Sequence, residues 1–127
     1  MILMKTKVKT TQAPAALGLL SQAIISNGFI FVAGQIHSTA DGKLIDGTTE
    51  EKFLQIIKNI TEILKAADSD INDIVKATIY VIDIAELPKI NEMYKTIFKE
   101  PLPAREAVCV KALPLGASIE MSVIAAQ

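Results

Sequence analysis

The 127-residue sequence has one cysteine, one histidine, one arginine and no tryptophan. The single cysteine, Cys109, excludes a disulfide within the chain and a cysteine-rich zinc site. The single histidine, His37, argues against Ser-His-Asp and Cys-His catalytic sites, because it would have to be the general base alone. Cys109 lies in an apolar segment without a basic neighbour, so we expect inert packing for it. For His37 we expect an ordinary surface or loop role.

Long apolar runs are also missing. Half of the residues are hydrophobic and the mean hydropathy is +0.38, but charges interrupt every run before the roughly 18 residues of a transmembrane helix. The N-terminal order, apolar residues before lysines, does not fit a signal peptide, and we expect a cytoplasmic protein. High hydrophobicity without a membrane span favours an oligomer in which other copies cover apolar surface.

Charge of one sign is not concentrated anywhere. Thirteen basic and fourteen acidic residues are spread along the chain and give a net charge of −1. Proteins that bind nucleic acids neutralise phosphates with a basic patch or stripe, and none is present. The sequence therefore argues against a nucleic-acid partner.

The hydrophobic pattern predicts an α+β protein with the order β-β-α-β-α-β-β in one domain covering residues 1–127. Asn27-Gly28 favours a tight hairpin turn, and Thr48 with Glu51 has capping-box spacing. The predicted elements are a hairpin at 22–33, a helix capped at 48 and running to 67, a strand at 74–82, a helix at 87–98, strands at 104–113 and 117–125, and optionally an N-terminal strand at 2–8.

Two helices then cover one face of a mixed, mainly antiparallel sheet. No further helix is available for the second face. An antiparallel sheet can leave one face to water, but these strands are apolar on both sides. We therefore expect this face to be covered by association with other copies.

Arg105 and Glu120 are the residues that point to chemistry. Arg105 is the single arginine among the thirteen basic residues of the chain, the others being lysines, and it lies at the start of an apolar strand. A guanidinium there indicates a planar anionic partner, because it offers bidentate donors that an ammonium lacks. That partner is either a small carboxylate ligand or a structural Asp or Glu. Glu120 interrupts an alternating apolar strand, at a strand edge or facing a cleft, and could itself be the structural partner of Arg105.

An ordered series of short motifs runs along nearly the whole chain. Its members are Ala13-Pro14-Ala15, Gly18, Ser21-Gln22-Ala23, Gly34-Gln35-Ile36, Asn59, the stretch 73–78, the stretch 91–94, Pro103-Ala104-Arg105, Leu113-Pro114, Ile119-Glu120 and Ile124-Ala125. Each motif alone is weak, whereas the series is specific. It resembles the RidA/YjgF family of reactive-intermediate (enamine/imine) deaminases, also labelled endoribonuclease L-PSP.

This resemblance implies a chorismate-mutase-like (YjgF-like) subunit that assembles as a homotrimer with three clefts between neighbouring subunits. It also implies hydrolysis of 2-imino acids, such as 2-iminobutanoate and 2-iminopropanoate, to 2-keto acids and ammonia. Neither a metal nor a bound cofactor is needed in the family.

The resemblance assigns roles to individual residues. Arg105 would hold the substrate carboxylate, and Glu120 would position or activate the attacking water. Gly34 would bring backbone close to the ligand, and Asn91 would lie at the rim of the cleft.

The chain also departs from the family pattern. Leu20 stands where relatives commonly have a pocket tyrosine, and Ala33 replaces a serine. Glu106 replaces the serine that usually follows the arginine, and Ala107, rather than Cys109, occupies the position where some relatives have a cysteine. The two lost polar pocket groups predict a preference for more apolar imino acids or a lower turnover.

Two other functions stay open on the sequence. Leu20 and Ala33 favour a non-catalytic ligand-binding or regulatory trimer that uses the same Arg105 cleft. Some relatives carry a ribonuclease label, but this chain lacks the basic stripe and the pair of histidines that would support such an activity.

Overall fold

The computed structural model describes residues 4–127. The helices and strands of this part are β1 (Thr6–Val8), β2 (Ala23–Ser26), β3 (Phe29–Ile36), α1 (Thr49–Ala66), β4 (Ile74–Val81), α2 (Leu87–Ile97), β5 (Ala104–Cys109) and β6 (Ile119–Ala126). The predicted order is confirmed, and β1 confirms the optional N-terminal strand. The first residues of that predicted strand, 2 and 3, lie outside the described residues.

The six strands form one sheet with the order β1-β2-β3-β6-β4-β5. Every neighbouring pair is antiparallel except β4 and β5. Parallel neighbours require a crossover connection, and α2 lies in the segment that joins these two strands. The sheet is therefore mixed and mainly antiparallel, as the sequence predicts.

Local sequence signals fix the hairpin and the start of α1. Asn27 and Gly28 have φ angles of 52° and 81°, as a type I′ turn requires. The Thr48 hydroxyl accepts a hydrogen bond from the Glu51 N–H at 3.1 Å, and the Glu51 carboxylate accepts one from the Thr48 N–H at 2.9 Å. Both halves of the predicted capping box are formed.

The core lies between the two helices and one face of the sheet. Alternation along β6 places four side chains in this core and leaves the intervening ones partly exposed, as the sequence pattern indicates. Fully buried members of the core include Phe53, Ile56, Ile60, Ile63 and Leu64 of α1, Ile90 of α2, and Ile79, Ile119 and Met121 of the sheet.

The opposite face of the sheet carries no helix within residues 4–127. Its apolar side chains include Phe29, Phe31 and Val108, which are 43%, 44% and 41% exposed. Large apolar patches on a protein surface commonly mark interaction sites. The expected uncovered face is thus present, and it exposes aromatic side chains.

Some predicted boundaries are wrong. The strand expected at 104–113 ends at Cys109, because its neighbour β4 ends at Val81, which pairs with Cys109. Only one further bond, from the Val110 N–H to the Val81 carbonyl at 2.8 Å, continues the pairing. The last strand begins at Ile119 instead of residue 117, because Pro114–Gly116 forms a 3-10 turn before it.

Candidate active site

Arg105 lies on β5 and turns towards α2. Its Nη2 donates a hydrogen bond to Asn91 Oδ1 at 2.7 Å. Its Cζ lies 4.8 Å from the centroid of the Tyr94 ring, within the range of a cation–π contact. Tyr94 in turn stacks on Phe98, with 4.3 Å between ring centroids. The guanidinium is therefore oriented by a neutral amide and an aromatic face.

No acidic residue within the described range pairs with Arg105. The ion pairs of residues 4–127 join Lys76 to Glu106 at 3.2 Å and Lys95 to Glu92 at 3.7 Å. A guanidinium has five N–H donors, so most remain available for an anion. The arginine borders a cleft of about 560 Å³ that is lined by Pro88, Asn91, Glu92, Tyr94, Lys95, Leu102, Pro103 and Arg105.

Glu120 lies on β6 between two neighbouring strands. Its backbone pairs with Tyr80 of β4 and Ile36 of β3, and its side chain points away from the core that its neighbours Ile119 and Met121 enter. Burial raises the pKa of the Glu120 carboxyl above its ordinary value of 4.5, because a partly desolvated carboxylate is less stable than in water. A carboxylate with a raised pKa is a better proton acceptor near neutral pH.

Gly34 explains how Glu120 is accommodated. The register of β3 against β6 shifts between Val32 and Gln35, so Gly34 lies in a β-bulge. A Cβ atom at Gly34 would overlap Oε2 of Glu120 and lie 2.9 Å from its Cδ. The absence of a side chain at this bulge is therefore what allows the Glu120 carboxylate to lie against the β3 backbone.

Ala33 lies in this bulge, and Leu20 lies two residues before Gln22, to which the Ala33 backbone bonds. The Ala33 N–H donates to the Gln22 carbonyl at 2.9 Å. The buried Gln22 side chain donates to the Pro14 carbonyl at 2.8 Å and so fixes the segment that carries Leu20. Leu20 is 57% exposed and lines a second cleft, of about 520 Å³.

Four of the predicted site residues thus form two separate groups. Arg105 and Asn91 form the guanidinium group, to which the structure adds Tyr94, and Glu120 and Gly34 form the carboxylate group. The two groups lie on opposite faces of the sheet, as the strand registers show.

The pairing of β5, β4 and β6 determines which face of the sheet each side chain occupies. Arg105 pairs with Ala77, and Ala77 pairs with Val123, so these three side chains share the helix-covered face. Glu120 lies three residues before Val123 on the same strand. Because side chains alternate between faces, Glu120 is on the uncovered face. The Arg105–Glu120 ion pair that the sequence left open is therefore not formed within one chain.

His37 lies in a bend just after β3, as the expected loop position requires, but it is buried, so the expected surface position is wrong. It is 1% exposed, its Nδ1 bonds to the Ile45 carbonyl at 2.8 Å, and its Nε2 accepts from the Ser118 N–H at 2.9 Å. Burial lowers the pKa of the imidazole below 6.5, because the charged form would be desolvated. A lone histidine after a strand carries no local signal for such burial.

Cys109 and Glu106 lie on the same strand as Arg105, β5. Cys109 is exposed, so the expected inert packing is wrong; β5 is an edge strand with a single neighbour. Glu106 adds charge to the uncovered face, where it bonds to Lys76 and, at 3.4 Å, to Thr78. Although Glu106 follows Arg105 in the sequence, its side chain does not contact the guanidinium of the same chain, because the side chains of adjacent strand residues point to opposite faces of the sheet.

Within residues 4–127 there is no cluster of three or more side chains of the kinds that bind metal ions. No helix of this part combines the length and apolarity needed to cross a bilayer.

The fold of residues 4–127 is a mixed six-stranded sheet with two α-helices against one face. The family model described as Endoribonuclease L-PSP matches residues 10–127. The chain belongs to this family, the RidA/YjgF family that its motifs resemble.

Named relatives and solved structures agree. A rat protein named 2-iminobutanoate/2-iminopropanoate deaminase is 45% identical over 121 residues, 94% of this chain and 88% of its own length. The human protein of that name is 40% identical over 126 residues, 98% of this chain and 92% of its own. The crystal structure of yeast Mmf1 has a TM-score of 0.94 at 37% identity, over 97% of this chain and 98% of that one. Escherichia coli TdcF with bound serine has a TM-score of 0.89 at 27% identity, over 96% and 98%.

Proposed function

We propose that the protein hydrolyses 2-imino acids to 2-keto acids and ammonia, in clefts between the subunits of a homotrimer. Arg105 of one subunit and Glu120 of the next are the catalytic residues of each cleft. The observation that carries this proposal is the placement of these two residues on opposite faces of one sheet, together with the naming of relatives at 40% and 45% identity as imino-acid deaminases.

The uncovered face supports assembly. It exposes Phe29 and Phe31 and also carries Glu120. A subunit that packs against this face removes the aromatic surface from water, which is favourable by about 25 cal/mol per Å². The same packing brings the neighbour's Arg105 to a carboxylate that its own chain cannot reach.

In this cleft, Arg105 binds the substrate carboxylate through paired N–H donors. Each charge-assisted bond of this kind is worth about 1.5–3 kcal/mol. Asn91 and the Tyr94 ring hold the guanidinium, so little side-chain freedom is lost on binding. A serine-bound structure of E. coli TdcF supports a ligand that carries an amino-acid carboxylate.

Glu120 is the proton acceptor. As a water oxygen attacks the carbon of the protonated imine (C=NH₂⁺), Glu120 takes a proton from that water and a neutral carbinolamine forms. Glu120 then delivers this proton to the nitrogen. The C–N bond breaks as the hydroxyl proton of the carbinolamine passes to Glu120, which leaves the 2-keto acid and ammonia, and the ammonia takes the proton from Glu120 and leaves as ammonium. The raised pKa of Glu120 suits these transfers, and assistance of this type is typically worth about 10² to 10⁴ in rate.

Leu20 and Ala33 set the substrate preference. They replace a tyrosine and a serine of the family pattern, so this part of the pocket offers apolar surface and no hydroxyl. We propose that the site favours imino acids with larger apolar side chains over those with small ones. The exposure of Leu20 at 57% in the single chain leaves its side chain free to contact a substrate or the neighbouring subunit.

RNA hydrolysis, which the family description mentions, gains no support from His37. Both ring nitrogens are engaged within the chain, so the imidazole cannot act as an acid or base towards a bound ribose.

The test uses a pyridoxal-phosphate dehydratase to generate 2-iminobutanoate from threonine and 2-iminopropanoate from serine. Semicarbazide traps the remaining imine, and its product is followed spectroscopically. The protein should lower semicarbazone formation, and Arg105→Ala should abolish that effect while Lys58→Ala, an exposed change on α1, should not. Equal rates for Arg105→Ala and the unaltered protein would contradict the catalytic role. Binding of 2-oxobutanoate without imine turnover would instead select the ligand-binding alternative.

A further inference from the structure

Ser118, two residues before Glu120, is held at three atoms. Its N–H donates to His37 Nε2 at 2.9 Å, and its Oγ accepts from Lys52 Nζ at 2.9 Å. Its carbonyl accepts from the Ile82 N–H at 3.2 Å. The backbone that leads into the strand of Glu120 is therefore fixed before that strand begins.

The hydrogen bonds of His37 define its protonation state. The Ile45 carbonyl can only accept, so Nδ1 carries the proton, and the Ser118 N–H can only donate, so Nε2 is bare. The neutral Nδ1–H form alone satisfies both partners. A second proton on Nε2 would place two donors against each other, and the Ser118 bond would break.

His37 also lies where the ladder that presents Glu120 ends. It directly follows β3, whose last residue, Ile36, pairs with Glu120. The bulge at Gly34 has already interrupted this ladder three residues earlier. The bond between the His37 side chain and the Ser118 N–H therefore links the two chain segments beyond the last backbone pair of β3 and β6. Along β6, Glu120 lies between this bond and the bulge.

We propose that neutral His37 is a positioning residue for Glu120, acting through the Ser118 N–H, and that protonation of His37 switches catalysis down. The inference rests on the proposed function and adds to it a residue that touches neither substrate nor water.

Charged groups from three elements face the imidazole. Burial, the largest effect, opposes protonation, and Lys52 of α1 acts in the same direction. The bond to the Ile45 carbonyl, Glu86 before α2 and Asp46 before α1 favour protonation, but burial prevails and keeps the pKa of His37 below 6.5. As the pH falls through that pKa, the Ser118 bond is lost. The rate should therefore fall on the acid side in addition to any fall that comes from protonation of Glu120.

The first measurement concerns the ring itself. His37 is the single histidine of the chain, so its ring nitrogens give one unambiguous set of NMR resonances. We expect the Nδ1–H tautomer at pH 7.5, with loss of the Ser118 amide's protection from exchange as the ring is protonated. An Nε2–H tautomer would overturn the proposal.

Two substitutions of His37 each keep one of its two hydrogen bonds, to Ile45 or to Ser118, and remove the other. In His37→Asn the side-chain amide nitrogen can replace Nδ1 and keep the bond to Ile45, but no acceptor faces Ser118. In His37→Gln the amide oxygen can replace Nε2 and keep the bond from Ser118. We expect kcat of His37→Asn to fall by about 10- to 100-fold, because small misplacements of catalytic groups have effects of this size, with KM nearly unchanged. His37→Gln should recover most of kcat.

Equal kcat values for the two variants would overturn the proposal. Ile63→Ala, a core change on α1, controls for lost stability and should keep kcat. If His37→Asn does not fold, the pH profile still decides: log kcat/KM of the unaltered protein should fall more steeply with acid than that of His37→Gln, and parallel profiles would overturn the proposal.

A failure of the proposed function can be distinguished from a failure of the proposed role of His37. If the unaltered protein hydrolyses no 2-imino acid, the reaction is wrong, but the carboxyl resonance of Glu120 can still be titrated by NMR. Its titration should change in His37→Asn and return towards that of the unaltered protein in His37→Gln. An unchanged titration in both variants would show that His37 does not position Glu120.

Discussion

Arg105 and Glu120 lie on opposite faces of the same sheet, Arg105 against α2 and Glu120 on the face that no helix covers. Strand register, rather than side-chain conformation, sets this arrangement, so no rotamer change within one chain can bring the two together. A reaction that uses both residues at one substrate requires two copies of the chain. The proposed cleft between subunits follows from that requirement.

The bond between Asn91 and Arg105 gives a test of anion binding. Asn91→Asp would place a carboxylate 2.7 Å from the guanidinium, where it competes with the substrate carboxylate. Loss of one charge-assisted bond to substrate corresponds to about 10- to 100-fold in affinity, so KM should rise by that factor. Asn72→Asp adds the same charge at an exposed turn and should leave KM unchanged. An unaltered KM in Asn91→Asp, measured by steady-state kinetics, would argue against Arg105 as the carboxylate ligand.

Gly34 and Gly47 provide a test and a matched control, because an added Cβ atom at either position would meet the carboxylate of a glutamate. A Cβ atom at Gly34 would collide with the Glu120 carboxylate, and one at Gly47 would lie 2.7 Å from Oε1 of Glu51. Gly34→Ala should therefore lower kcat at least tenfold, as expected for a displaced general base. Gly47→Ala disturbs the capping box of α1 and should cost up to about 1 kcal/mol of stability without lowering kcat. Similar kcat values for the two variants would show that the position of Glu120 is unimportant.

Leu20 should control side-chain preference. Leu20→Tyr restores the residue common in the family and fills apolar space, so kcat/KM for the imine of leucine should fall relative to that for 2-iminopropanoate. Contacts with one or a few methylene groups discriminate by about 10- to 200-fold, and a tenfold change in the ratio is expected. Leu19→Tyr is the control, because Leu19 is 89% exposed. If both variants change the ratio equally, Leu20 does not line the pocket.

His37 should make stability depend on pH. Its folded pKa lies below 6.5, so the unfolded chain binds the proton first, and the free energy of unfolding should fall as the pH drops from 6.5 towards the folded value. Glu120, with a raised pKa, acts in the opposite direction, with stability lost as the pH rises above 4.5 through its folded pKa. His37→Gln keeps the Glu120 contribution and loses that of His37. Urea denaturation at fixed protein concentration, at pH 7.5 and 5.5, should show the larger acid loss in the unaltered protein; equal losses would contradict it.

Much of the fold could be predicted because its signals are local. The Asn27-Gly28 turn, the box of Thr48 and Glu51, and the alternation along β6 each depend on residues within a few positions of one another. The extent of β5 depends instead on where β4 ends, which is information from another part of the chain.

The sequence named candidate residues but could not give their geometry. Arg105 stood out as a single arginine and Glu120 as a carboxylate in an apolar strand, whereas Gly34 came from a family motif. That Gly34 makes room for Glu120 depends on a bulge between two strands that are distant in sequence. The burial of His37 depends on Ile45 and Ser118, the latter 81 residues away, and no periodicity reports such a contact.

Complementation between two inactive variants tests the shared cleft most directly. Arg105→Ala and Glu120→Gln, each expected to be inactive alone, are mixed in equal amounts by co-expression or by refolding together. In a cyclic assembly each cleft receives Arg105 from one chain and Glu120 from its neighbour, so about one quarter of the clefts should hold both residues. Imine hydrolysis should then return to about one quarter of the unaltered activity. Mixed assemblies that form but stay as inactive as the single variants would contradict a site built from two chains.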